Sequence, residues 1–163
     1  MTETTVQIDA AAELASWTRR VAGMYAKDLK ALSQEQYQGS CGGVARTAHD
    51  FTAEVCGFNL GMVGALAGGD MNRPSDEEQA QFKASLADRD TAVAKVIESG
   101  EMLAAAIEKA GPRLTEMTQA PWGEPITYYQ FANIATNHIL YHDGQLNVIQ
   151  SVHGDGEMHW FDE

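Results

Sequence analysis

The sequence predicts an all-α fold, a four-helix bundle in a single domain over residues 1–163, and three observations carry that reading. Apolar residues recur at three- and four-residue spacing over four long segments. No segment alternates apolar and polar residues as a half-buried strand does. Short breakers rich in glycine or proline separate the segments. A chain of 163 residues suits one core, because a domain near that size buries roughly two-thirds of the surface its unfolded chain exposes.

The first helix is expected from about Ile8 to Leu32, with Leu14, Trp17, Val21, Met24, Tyr25 and Leu29 on one face, and "SQEQYQGSCGG" ends it. The second runs from near Gly43 to about Leu66 on the stripe Val44, Ala48, Phe51, Val55, Phe58 and Met62. The break "AGGDMNRP" follows. Ser75 with Glu78 three residues later forms a capping box behind Pro74, so the third helix starts there and continues past Leu86, Val93, Val96 and Leu103 to about Lys109. Gly111 and Pro112 stop it. The fourth begins just after Pro125 and ends near the glycines of "HGDGE", leaving a short tail expected to pack through Trp160 and Phe161.

Composition limits the partners. With 23 acidic against 11 basic side chains the formal charge is −12, a potential that repels nucleic-acid phosphates and anionic lipid surfaces. The segment "MTETTVQIDAAAEL" lacks the basic and apolar regions of a signal peptide, and no apolar run reaches the roughly 20 residues that span a bilayer, so a cytoplasmic location is expected. Cys41 and Cys56, if on one helix, lie about 22 Å apart, beyond disulfide reach, and are expected as free thiols. Gly57, Gly61, Gly64, Gly68 and Gly69 form no phosphate loop; those in the second helix are read as permitting close packing or marking local weakness.

Two histidines interrupt the fourth helix. Phe131, Ala135, His138, His142, Gln145 and Ile149 are spaced 4, 3, 4, 3, 4, which is the interior seam of a bundle helix, so both imidazoles point inward one turn apart. Such a pair can share one ion if a third ligand comes from another helix, and His49, early in the second helix, is the candidate. The spacing alone is a weak signal that arises by chance, and on it alone hydrogen-bonded core histidines are the commoner reading. Asp50, Glu54, Asp143 and Gln145 are candidate partners that orient an imidazole or accept a proton, with Gln145 best placed on the shared seam. His153, at the end of that helix, and His159, in the tail, are not expected to be ligands. The sequence has no GxSxG, HExxH or Walker pattern and no ExxH pair of a di-iron bundle.

"ARTAHDFTAEV", the "ALSQEQY" before it, the Pro-Trp-Gly ahead of the fourth helix and above all "NHILYHDGQL" resemble the DinB/YfiT-like family of metalloenzymes, over nearly the whole chain. The resemblance implies a left-handed bundle of up-down-down-up topology and a divalent metal, zinc or nickel, on His49, His138 and His142. It implies a homodimer, and activities such as thiol S-transfer or isomerisation with a low-molecular-weight thiol such as bacillithiol or mycothiol. Many members have no assigned activity. Three neutral imidazoles leave the ion's charge uncompensated and a coordination position open, which makes hydrolysis and thiol transfer of a small-molecule substrate both accessible. The alternative is a non-catalytic bundle, metal-stabilised or metal-free, that dimerises, as in a stress response. Alanine- and methionine-rich faces such as "EMLAAAIEKA" and "GMVGALAGG" are the expected dimer surface.

Overall fold

A computed structural model describes residues 8–69 and 74–161. Four long helices form the bundle: α1 (Ala10–Ala31), α3 (Ala48–Leu66), α5 (Arg89–Ala110) and α6 (Tyr128–Val152). Two short ones, α2 (Gln34–Gln38) and α4 (Asp76–Ser85), lie in the connections. A 3-10 turn over Gly111–Thr115 leads into a two-stranded antiparallel hairpin, β1 (Met117–Gln119) and β2 (Pro125–Thr127). Strands of three residues are too short to show an alternating pattern, so periodicity passes over them.

Side chains that satisfy the orphan amides of the first turn place the helix starts. Asp9 and Asp88 cap α1 and α5, while Thr47 with Asp50 and Thr127 with Gln130 form capping boxes on α3 and α6. Two expected boundaries shift for this reason. The second predicted helix begins at Ala48 rather than Gly43, because Gly42 and Gly43 both have positive φ and Thr47 supplies the cap. The third is two helices, because the chain leaves helical geometry after Ser85 and Asp88 accepts from both the amide and the hydroxyl of Thr91 to start α5.

α1 packs on α5 and α6, and so does α3. Helix senses follow from matched contacts. Arg19 reaches Glu101 and Glu108 whereas Arg89 reaches the carbonyl of Leu32, so α1 and α5 run antiparallel. Thr18 meets Thr136 and Asp28 meets Asn147, so α1 and α6 run parallel. Phe51 lies on His142 and Phe58 on His138, so α3 opposes α6. It follows that α3 and α5, consecutive long helices, point the same way, and the segment containing α4 returns the chain along the bundle between them.

Two apolar clusters fill the interior. Tyr25, Leu29, Tyr37, Phe51, Val55, Ile139 and Leu146 belong to one, and Leu14, Met62, Leu103, Ile107, Leu114 and Phe131 to the other. Burying a side chain of this size contributes about 1.5–3 kcal/mol each, which is what holds the helices together. Phe51 is in the first cluster and Phe58 packs on the second, so the two histidines they touch sit where the clusters meet. α1 and α5 approach closely enough that a Cβ on Gly100 would clash with the Cβ of Ala22. The tail docks through Trp160, whose Nε1–H donates to Asp28 Oδ2 at 2.8 Å, while Phe161, expected to pack beside it, is exposed.

Candidate metal centre

His138 and His142 project from one face of α6, as their four-residue spacing requires, and their Nε2 atoms lie 3.0 Å apart. From α3, Glu54 directs Oε1 at both, 3.2 Å from His138 Nε2 and 3.6 Å from His142 Nε2. Bonds of about 2.0–2.1 Å to a tetrahedral ion put ligand atoms about 3.3 Å apart, and these three separations bracket that value. Glu54, His138 and His142 could therefore hold a metal ion, and they form the candidate group of this kind among the described residues.

The protonation of the cluster can be read from its partners. His142 Nδ1 lies 2.7 Å from Gln145 Oε1, an oxygen that only accepts, so Nδ1 carries the hydrogen and Nε2 turns its lone pair toward the cluster. His142 is buried, and burial, partly offset by the Gln145 hydrogen bond, lowers its pKa below the ordinary 6.5. It is neutral at neutral pH, as a ligand must be. Phe51 stacks on its ring and Phe58 tilts against His138, fixing both imidazoles. His138 Nδ1 is buried with no hydrogen-bond partner among the described residues. Burial pushes the Glu54 carboxyl up, but its hydrogen bond to Arg46, the charge of Arg46 and the two histidines outweigh this and hold it below its ordinary value.

The other expected residues are placed elsewhere, with physical reasons. His49 is turned about 140° round α3 from Glu54 by the five-residue separation. Its Nε2 lies 2.7 Å from the carbonyl of Lys83, to which it donates, and its ring meets Tyr37. His49 thereby ties α4 to α3. Asp50 closes the α3 capping box with Thr47 and pairs with Lys83; burial raises its pKa, but the Lys83 and Thr47 hydrogen bonds win and hold it well below the usual carboxylate range. Asp143 is buried on the opposite side of α6, where burial first and the neighbouring Asp28 second push it up to about 8. Cys56 is buried, its thiol pushed up to about 11 by that burial, and Cys41 is half-buried; both are free. His159 pairs with Asp155, and His153 caps the C-terminus of α6.

The cluster borders a cleft of about 940 Å³ between α3, α4 and the loop carrying Pro121 and Trp122. Glu54 lines it, with Phe58, Phe82 and Trp122 as apolar walls. Gly57 and Gly61 also line it, so these α3 glycines widen the cleft rather than admit another long helix. Arg46, just before α3, lines both this cleft and a smaller cavity of about 330 Å³ beside Gln145, and its Nη2 donates to Glu54 Oε2 at 2.5 Å. The sequence pattern did not single out Arg46. Glu54 had a usable signal: it lies three residues after Phe51 and four before Phe58, on the same inward face.

No model of a known protein family matches the sequence, and no curated protein matches it. Among solved structures, the chain is similar to the crystal structure of the mycothiol-dependent maleylpyruvate isomerase, with a TM-score of 0.67 and 14% sequence identity, over 83% of this chain and 60% of that one. The chain thus spans less than two-thirds of that enzyme's length. At this identity the likeness is one of fold alone: the chain is an all-α bundle similar in fold to that enzyme.

Proposed function

We propose that the protein is a divalent-metal-dependent enzyme whose ion is held by Glu54, His138 and His142, with the open coordination position reached from the Trp122 cleft. The observation that carries this reading is the convergence of one carboxylate oxygen and two imidazole nitrogens within 3.6 Å of one another at the edge of that cleft. Two nitrogens and one oxygen favour zinc over metals that seek all-sulfur or all-oxygen sites, with nickel the alternative. A bound ion of this kind supplies a Lewis acid that brings the deprotonation of a coordinated thiol or water toward neutral pH. Within the chain, Gln145 keeps His142 in the ligating tautomer, and Phe51 and Phe58 hold the rings in place. Transfer to or from a low-molecular-weight thiol is the favoured reaction class, because the enzyme of similar fold is mycothiol-dependent. Hydrolysis is the alternative at the same site.

The setting is cytoplasmic, where Cys41 and Cys56 stay reduced; no helix among the described residues is long and apolar enough to cross a membrane. A second copy pairs across the outer face of α6, where Ile134, Tyr141 and Val148 recur seven apart and are exposed. Part of the alanine-rich face expected for this purpose is instead in the core, since Leu103, Ala104 and Ile107 are buried.

Elemental analysis and zinc titration of the purified chain test the reading. One ion per chain is expected, with Glu54→Gln, His138→Ala and His142→Ala each losing far more affinity than the 10–100-fold, as an order of magnitude, expected for Gln145→Ala. His49→Ala should keep its metal. Loss of metal in His49→Ala with retention in Glu54→Gln would establish the three-histidine set instead. A wild-type chain that binds neither zinc nor nickel at pH 8 would leave a non-catalytic bundle.

A further inference from the structure

The site holds a cation that the metal reading does not use. Among the described residues, Arg46 is a cationic side chain in direct contact with the cluster: it sits on the outer oxygen of Glu54, while the inner oxygen of the same carboxylate faces His138 and His142. Among the described residues, Lys83 also lines the cleft and is engaged by Asp50. Arg46 therefore competes with any ion for the charge of Glu54. An ion that draws on that carboxylate weakens its hold on Arg46 and leaves two positive centres side by side at the edge of the cleft. A guanidinium presents a planar fork matched to the two oxygens of a carboxylate. The walls beyond it are the rings of Phe58, Phe82 and Trp122 with Pro121 and the backbone of Gly57 and Gly61, a surface for a flat apolar body.

We infer that Arg46 is the anion-binding residue of this site and that its ligand is a small carboxylate with an aromatic or similarly flat apolar body, taken up once Glu54 is committed to a metal ion. The inference rests on the metal reading above. It makes binding of the two ligands mutually reinforcing: the ion releases Arg46 for the carboxylate, and the carboxylate holds Arg46 away from Glu54. By linkage each tightens the other by the same factor. Arg46 also lines both cavities, the larger with Glu54 and the smaller with Gln145, the partner of His142.

Zinc titrations by calorimetry, without and with saturating benzoate or acetate, test this on the wild type, Arg46→Ala and Arg46→Lys. Arg46 is half-exposed in a loop, and thermal melts check that the variants remain folded. In the wild type, benzoate is expected to tighten zinc binding about tenfold or more, the scale of one charge-assisted contact. Acetate, lacking the ring, is expected to do so less. In Arg46→Ala, zinc alone should bind more tightly than to wild type because the competitor is gone, and the benzoate effect should vanish; Arg46→Lys should retain part of it. Equal benzoate effects in wild type and Arg46→Ala, or none in wild type, would overturn the role of Arg46. Acetate acting as strongly as benzoate would overturn the aromatic body. Failure of every chain to bind zinc would instead overturn the metal reading, and this inference with it.

Discussion

Gln145 and Asp143 are two residues apart on α6 and serve opposite faces of it. Gln145 accepts from His142 beside the smaller cavity, while Asp143 is buried toward Asp28, which takes donors from Asn147 and Trp160. Burial first, and Asp28 beside it second, push Asp143 up to about 8 in the fold against 3.8 ordinarily, so Asp143 holds a proton between those values. Between those values the folded chain binds a proton the unfolded chain has released. The contribution of Asp143 to stability therefore falls as pH rises from about 4 to about 8 and is level above. Asp143→Asn removes this titration, so its urea midpoint should gain on the wild type steadily across that range; profiles that stay parallel would show that Asp143 does not hold the proton. The inward pair His138 and His142 was legible from spacing. The third member was legible only as a candidate partner: Glu54 shares the inward face of Phe51 and Phe58, but whether it or His49 meets the pair is decided by the packing of α3 against α6, a contact between separate helices.

The long helices were legible because each carries an apolar face through several turns; their ends were less so, because a cap is a single residue. Asp88 divides a continuous apolar pattern into α4 and α5, and the division supplies the connection between two helices of the same sense. α4 has no fully buried residue and is held by contacts from outside it. Lys83 pairs with Asp50, its carbonyl accepts from His49, and Tyr37 donates to the carbonyl of Leu86 just beyond. A contact that leaves no room for a side chain lies elsewhere, where Gly100 on α5 meets Ala22 on α1. Gly100→Ala is favourable for helix propensity by about 1 kcal/mol, yet it forces the two backbones apart at a cost of about 1–3 kcal/mol. A net loss in chemical denaturation is expected, whereas Gly64→Ala on α3, where an added Cβ meets nothing within 4 Å, should show the propensity gain alone.

At the scale of the whole molecule the charge of −12 sets the conditions for pairing. Two chains of that charge repel, so a dimer through Ile134, Tyr141 and Val148 should tighten as salt is raised from about 0.01 to 0.15 M, over which the screening length falls from about 30 to 8 Å. Light scattering should report two chains at micromolar concentration in the higher salt and one for Val148→Glu; a wild-type monomer in both would remove the dimer. The three tryptophans occupy three regions of the molecule: Trp17 on α1, Trp160 in the docked tail, and Trp122 on the wall of the cleft, half-exposed. Intrinsic fluorescence therefore carries a built-in report on the cleft. A ligand that covers Trp122 replaces water around its indole and shifts that component of the emission to shorter wavelength, while Trp17 and Trp160 provide a steady background. The shift should disappear in Trp122→Phe, which makes the bare protein its own optical sensor for screening small molecules with no assay of turnover required.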